Sequence, residues 1–285
     1  MSPARLVSFA LVAAGVVAGT AGDRPFPHPP LTLGGYRVLA ADFHTHSAMW
    51  SDGSLTPWGL VLEADHQGLD AIAITGHDQT FDSHVGHAFA RLVGGPIVLI
   101  GDEVLGDRGF HITAAGIDET VRYRRSGKTS IQRIHDQGGI AIVAHAFRDF
   151  WPEYDPKIMR ELDGAEICHP AVYVIDDGQQ ELEQFAARAP VAAIGSSDFH
   201  GLGPMGLCRT FVFATEASEQ GVVDAVRAHR TVVFGRDGQV YGDPTLAQYA
   251  DRLRDRLPAS DSHGNALDWI SRLTALAGCA GLVLM

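Results

Sequence analysis

Metal-capable side chains recur along this sequence at spacings that suit coordination. Asp42-Phe43-His44-Thr45-His46 places two imidazoles two residues apart in a β-like run. Side chains alternate across a strand, so His44 and His46 would face the same way, about 7 Å apart along the backbone. Ser51-Asp52-Gly53 follows, then Thr75-Gly76-His77-Asp78, Glu103 and His111. His145 ends the run Ile142-Val143-Ala144-His145, and Ser197-Asp198-Phe199-His200 again sets a carboxylate and an imidazole two residues apart. Imidazoles and carboxylates without thiolates suit Zn²⁺, Mn²⁺ or Fe²⁺. Two such ions about 3.5–4 Å apart would lower the pKa of a shared water towards neutrality, which is hydrolytic chemistry.

A lone histidine after a strand is more often a hydrogen-bonded loop residue than a ligand. The elements around these residues change that reading. Val38–Phe43, Ala71–Thr75, Ile97–Gly101, His111–Ala115, Ile140–Ala144, Ala165–Ile167, Val191–Gly195 and Arg209–Ala214 read as strands. Helices with recognisable ends lie between several of them. Thr56-Pro57 opens one that Gly68 closes, Thr129/Ser130 and Gly138 bracket a second, and Glu219–His229 is a third. Alternating strands and helices predict a largely parallel sheet, open or closed into a barrel. Strand ends on one face of a barrel converge, which would gather six histidines and three carboxylates in one place.

Bulk properties bound the rest. The chain of 285 residues is 46% hydrophobic, enough for one large core. Its net charge of -12 is a poor match for a polyanionic backbone, which argues against a dedicated nucleic-acid binder. The three cysteines, Cys168, Cys208 and Cys279, make no disulfide framework and no CxxC pair, and the sequence leaves a pairing of Cys168 with Cys208 open. Arg5, the apolar stretch Leu6–Val17 and the small residues Ala18 to Ala21 read as an export signal cleaved after Ala21. The alternative is a retained membrane anchor. Residues 22–35 then read as a linker, 36–245 as the domain, and 246–285 as a helical and apolar tail. The chain's destination would be the periplasm or the exterior.

The ordered set Asp-x-His-x-His, Ser-Asp-Gly, Thr-x-His-Asp, Gly-x-Glu, His, Ala-His and Ser-Asp-x-His resembles the PHP family, the polymerase and histidinol phosphatase domain. The resemblance runs from Val38 to Ala214, reaches Gly242-Asp243-Pro244 weakly, and is closest to exported metallohydrolases of the CehA/McbA type. It implies an α/β fold, a distorted (β/α)7 barrel with ligands at the C-terminal ends of its strands. It further implies one ion on His44, His46, Glu103 and Asp198, and a second on His111 and His145 bridged by Glu103. A third would use Asp52, His77 and His200. Two positions depart from the family pattern. Some members have histidine at the place of Asp52, and many have an acidic residue at the place of Gly76.

Three divalent ions would bring about six positive charges against three ligand carboxylates, so an acidic chain could still attract a phosphate. The expectation is phosphoester hydrolysis of a small molecule by a metal-bridging hydroxide, with Glu103 and Asp198 in the reacting centre. Arg148, three residues past His145, is the candidate to hold phosphoryl oxygens; Arg209 is a weaker one. Arg122, Arg124, Arg125 and Lys128 read as a solvated loop. Carboxyl-ester or carbamate hydrolysis is the second reading, and a metal- or partner-binding module without catalysis the third. No GxSxG elbow or Walker-type loop competes. His66, His135 and His229 fall on helices, His84 and His87 on a solvated helix face, and His28 and His263 in loops. His169, after a strand, would line the pocket or serve only the fold.

Overall fold

The computed structural model describes residues 3–22, 26–106, 111–122, 127–147, 149, 156–188, 190–201, 203–257 and 266–284. In chain order the elements are α1 (Pro3–Gly22), β1 (Leu31–Leu33), β2 (Tyr36–Thr45), α2 (Pro57–His66), β3 (Ala71–Ile74), α3 (Phe81–Val93), β4 (Ile97–Leu105) and β5 (His111–Ala115). Then come α4 (Gly127–Asp136), β6 (Ile140–Val143), α5 (Pro156–Met159), β7 (Gly164–Cys168), α6 (Gly178–Ala186), β8 (Ala192–Gly195) and β9 (Thr210–Ala214). The chain ends with α7 (Glu219–Arg227), β10 (Thr231–Phe234), β11 (Val240–Gly242), α8 (Ala250–Arg254) and α9 (Ala266–Val283).

These elements fall into two compact units, Phe26–Pro258 and the paired terminal segments Met1–Pro25 and Ala259–Met285. The larger unit exceeds the expected 36–245 at both ends. Leu31–Leu33, expected as linker, pairs antiparallel with β2, and Leu246 and Leu253, expected in the tail, are buried in the same core. Apolar side chains at these positions gain more from burial than a solvated linker allows.

One eleven-stranded sheet organises the larger unit, in the order β11-β10-β9-β2-β3-β4-β5-β6-β7-β8, with β1 beside β2. It curls into a nearly closed barrel. The gap between β8 and β9 is bridged by a side chain, since Thr210 Oγ1 accepts from Gly195 N and donates to Gly195 O, both at 2.9 Å. The sheet is more mixed than the expected parallel one. Strands β2-β3-β4 and β6-β7-β8 run parallel, whereas β5 is antiparallel to both β4 and β6, and β9, β10 and β11 join antiparallel. The short connection from β4 to β5 has no room for a crossover helix, so the chain turns straight back.

Local chemistry explains the helix ends. Thr56 Oγ1 accepts from Gly59 N at 3.2 Å above Pro57, and Ser218 Oγ accepts from Gly221 N at 3.0 Å. The parallel strands β3, β6 and β8 are buried along their whole length, which is why they read as unbroken apolar runs. Cys168 and Cys208 form a disulfide that ties the end of β7 to the segment before β9.

Candidate metal centre

All nine residues expected as ligands come together at one place. Glu103, buried near the end of β4, sits at the middle. Its Oε2 lies 3.3 Å from His44 Nε2, 3.4 Å from His46 Nε2 and 3.1 Å from His77 Nδ1. Its Oε1 faces the other way, 3.0 Å from His111 Nδ1 and 3.3 Å from His145 Nε2. Asp198 Oδ1 reaches His46 Nε2 at 3.1 Å and His44 Nε2 at 3.3 Å. Asp52 Oδ1 lies 3.1 Å from both His77 Nε2 and His200 Nε2.

Three overlapping groups have ligand atoms close enough to share an ion: His46, Asp52, His77 and His200; His44, Glu103 and His145; and His44, His46 and Asp198. His46 and His44 each belong to two groups, a finer partition than the one the sequence implies.

The strands set this geometry. His44 and His46 leave β2 where its pairing with β3 shifts register between Asp42 and Thr45, the kind of irregularity that re-aims side chains beside sites. Phe199 N donates to His44 O and His46 N donates to Phe199 O, which seats Asp198 and His200 against the end of β2. Asp42 anchors the same loop, accepting from Ser197 N, Ser197 Oγ and Gly206 N. Two of the expected ligands, His145 at φ 29° and Asp198 at φ 47°, adopt the left-handed region that costs a non-glycine residue energy, as often happens where a site dictates the backbone.

Hydrogen bonds fix the imidazole tautomers. His44 Nδ1 bonds Glu166 Oε1 at 3.0 Å, and His200 Nδ1 donates to Asp198 O at 2.8 Å. In both rings Nε2 is therefore left to face the cluster. His44 Nε2, His46 Nε2 and His77 Nδ1 are buried yet make no hydrogen bond of acceptable geometry. Buried polar atoms are normally satisfied, so orphaned nitrogens converging on carboxylates fit divalent cations.

Electrostatics agree with that fit. Burial opposes charge on His44, but Asp198, Glu103 and Glu166 overcome it and raise its pKa well above the ordinary value. A buried imidazole drawn to a proton by three carboxylates marks a place short of positive charge. Burial would raise Glu103, yet the imidazoles, His44 foremost, hold it well below the usual carboxylate range. Asp198 is likewise far below its range, burial being outweighed by His44, His169 and His46. His46, by contrast, is lowered by burial, which suits a neutral ligand.

Two residues outside the expected ligand set belong to the site. Glu166 is buried and holds His44, and its Oε2 accepts the backbone N–H of His145 at 2.6 Å. His169, which the sequence left between pocket and fold, lies with Nε2 3.3 Å from Asp198 Oδ2 while its Nδ1 accepts from Ala171 N at 3.1 Å. They stand three residues apart in Glu166-Ile167-Cys168-His169, off the two-residue strand period, so that period does not pair them.

Arg209, a candidate for substrate, is instead structural. It is wholly buried and donates to the carbonyls of Gly206, Arg256 and Gln67. Burial lowers its pKa to about 10. Arg148 lies outside the described residues. His84 and His87 bond Asp118 O and Glu219 away from the cluster, and His135 pairs with Asp163 at 2.8 Å. His28 bonds Phe26 O at 2.9 Å, and His263 lies outside the described residues. At Gly76 a Cβ would meet Gln79 and Asp82, so those side chains fill the space an acidic residue would need.

A cavity of 280 Å³ opens beside Asp198 and His200, walled by Pro170, Phe199, Pro204 and Leu207. A larger one of 530 Å³, lined by Glu183, His229, Tyr241 and Asp243 among others, contains none of the cluster's residues.

Comparison with known proteins places the fold. Residues 180–231 match a family described as PHP-associated. An uncharacterized protein of Methanocaldococcus jannaschii is 26% identical over 140 residues, 45% of this chain and 81% of its own. Among solved structures, a two-domain protein from Bacteroides vulgatus, described as containing a predicted PHP-like metal-dependent phosphoesterase, superposes with a TM-score of 0.63 at 22% identity. That match covers 80% of this chain and 74% of the other. The chain is an α/β protein with the PHP-like barrel fold. Its strand ends carry groups able to hold divalent metals.

Proposed function

We propose that this protein is a metal-dependent hydrolase of the PHP type, acting on phosphoesters. The observation that carries the reading is the convergence of three buried nitrogens without a hydrogen bond, on His44, His46 and His77, upon the Glu103 carboxylate. Divalent ions of the Zn, Mn or Fe class, two or three of them, would be held by these residues and would supply Lewis acidity and water activation near neutral pH. The chain's own residues do the rest. Glu103 presents one oxygen to each half of the cluster, which sets the spacing between halves. Asp198 faces His44 and His46 with Oδ1 and is steadied by His169 through Oδ2. Asp52, more than half exposed, stands at the open side with His77 and His200, where a substrate enters. Arg148 is assigned, from its place after His145, to the oxygens of a phosphoryl group.

The cavity beside Asp198 favours a second reading. Apart from Ser197, Asp198 and His200 its walls are apolar or glycine, and they hold no lysine or arginine among the described residues, which suits an uncharged carboxyl ester or carbamate. One screen separates them: the metal-loaded protein against p-nitrophenyl phosphate, bis-p-nitrophenyl phosphate and p-nitrophenyl acetate. Turnover of the phosphates at rates above the acetate supports the first reading. Acetate alone supports the second, and no turnover of any of them overturns both.

A further inference from the structure

The smaller unit is built inside out for a water-soluble pair. Helices α1 and α9 come from opposite ends of the chain and pack along their length. A Cβ at Gly278 would lie 2.7 Å from Ser8 O, one at Gly15 2.9 Å from Ala275 N, and one at Gly19 2.8 Å from Ser271 Oγ. Rising numbers on one helix meet falling numbers on the other, so the pair is antiparallel. Ser8, Gly15 and Gly278 are buried in the seam, and Ser271 Oγ donates to Gly15 O at 2.6 Å. The large apolar side chains point away. Phe9, Val16 and Val17 on α1 and Leu273, Leu276 and Val283 on α9 are 50–84% exposed.

In water this arrangement forgoes the main driving force of helix packing, the burial of large apolar groups. In lipid that force is absent between helices, and close approach over small residues with hydroxyl-to-carbonyl bonds takes its place. We propose that α1 and α9 form a paired anchor embedded in a lipid bilayer, retained in the working protein. A protein partner would cover one face and meet a polar rim. Here no charged residue occurs from Leu6 to Gly22 or from Leu273 to Leu284, and the large exposed side chains described in those stretches are apolar.

Taken singly, no helix among the described residues is long and apolar enough to cross a membrane. Asp268 and Arg272 lower the apolarity of the first half of α9, which the anchor keeps at the bilayer surface, and pairing changes the cost of the hydroxyls near them. Ser271 bonds Gly15 O and Thr274 Oγ1 donates to Ile270 O at 2.7 Å, so neither hydroxyl is left bare in lipid. At 20 residues α1 is about 30 Å long, near the thickness of the hydrocarbon core. The antiparallel pairing puts both chain ends at one end of the hairpin, with Arg5 beside them. The Cys168–Cys208 disulfide suits an oxidising compartment.

The test reconstitutes the full chain with phosphatidylcholine vesicles and floats them on a density gradient. The chain should rise with the vesicles, and Cys279, an exposed thiol on α9, should resist a membrane-impermeant maleimide. The double variant Val16→Asp/Leu276→Asp puts two carboxylates on the lipid face. Its bound-to-free ratio should fall about a hundredfold or more while the melting transition of the rest of the protein is unchanged. Sedimentation of the intact parental chain away from vesicles, or parental flotation by the double variant, overturns the proposal. So does recovery from cells of a chain that starts near Gly22, because α1 is then gone.

Discussion

Nδ1 of His44 and Oε1 of Glu166 lie 3.0 Å apart, both side chains wholly buried. The same carboxylate takes the backbone N–H of His145 through Oε2. One residue on β7 thus orients a ring on β2 and fixes the chain path after β6. Outer partners of this kind set the tautomer and direction of a ligand. Glu166→Ala should weaken metal binding or turnover by about 10–100-fold. Glu166→Gln, which keeps one of the two bonds, should lose less. Chelator competition measures the affinity, and parental affinity in Glu166→Ala would show the contact to be incidental.

Glu103 faces five imidazoles with two oxygens. Glu103→Ala should therefore remove both halves of the cluster, leaving less than about one ion per chain and no hydrolysis. Elemental analysis of the parent should find two or three ions, within the range of multi-metal sites. Chelation of the parent should also lower its melting temperature, because bound ions stabilise only the folded state. A parent expressed with metal supplied but holding fewer than about one ion would end the hydrolase reading.

Asp52 faces the outer group, His77, His200 and, at 3.7 Å, His46 Nδ1, and accepts from Ser51 Oγ at 3.3 Å. Burial tends to raise its pKa, and those imidazoles together lower it. Asp52→Ala should leave roughly two ions bound while turnover falls. Loss of all metal in this variant would mean that the outer ligands support the inner ones.

For Arg148 the sequence supplies the expectation. Arg148→Ala should leave metal content unchanged and reduce phosphoester turnover by about 10²–10³-fold, the scale of removing one charge-stabilising donor. An uncharged ester should be affected less. Equal rates for parent and variant on both classes would make Arg148 a surface residue.

Asp102 gives a stability test separate from activity. It is fully buried, accepts from Val121 N at 2.7 Å through Oδ2, and leaves Oδ1 without a hydrogen bond. Burial raises its pKa from 3.8 to about 8. Between those values the folded chain keeps a proton that the unfolded chain has lost, so stability falls as pH rises through that window. Asp102→Asn imitates the protonated form and should flatten this dependence. Melting temperatures at about pH 5 and about pH 9 would show the variant gaining on the parent only at the higher value. An equal difference at both would mean that Asp102 is already ionised.

The sequence by itself determined the ligand types, their order and their place after strands. Local rules carry that information: the two-residue period set His44 and His46 on one side, and Thr56-Pro57 and Gly68 set the ends of α2. The alternation of strands and helices was legible for the same reason, since each unit announces itself within a few residues, whereas the distorted (β/α)7 barrel was implied by the family resemblance. Contacts between distant segments were decided only in three dimensions. The reversal at β5, the bond between Cys168 and Cys208, and the burial of Arg209 beneath the carbonyls of Gly206 and Gln67 all follow from how the sheet closes. Glu166 is the clearest case. Its spacing marks it as one more carboxylate near a strand end, and it becomes a partner of His44, 122 residues away, only because β2 and β7 are brought to the same side of the barrel. A side chain's type is local, but its partner is set by the closure of the whole sheet.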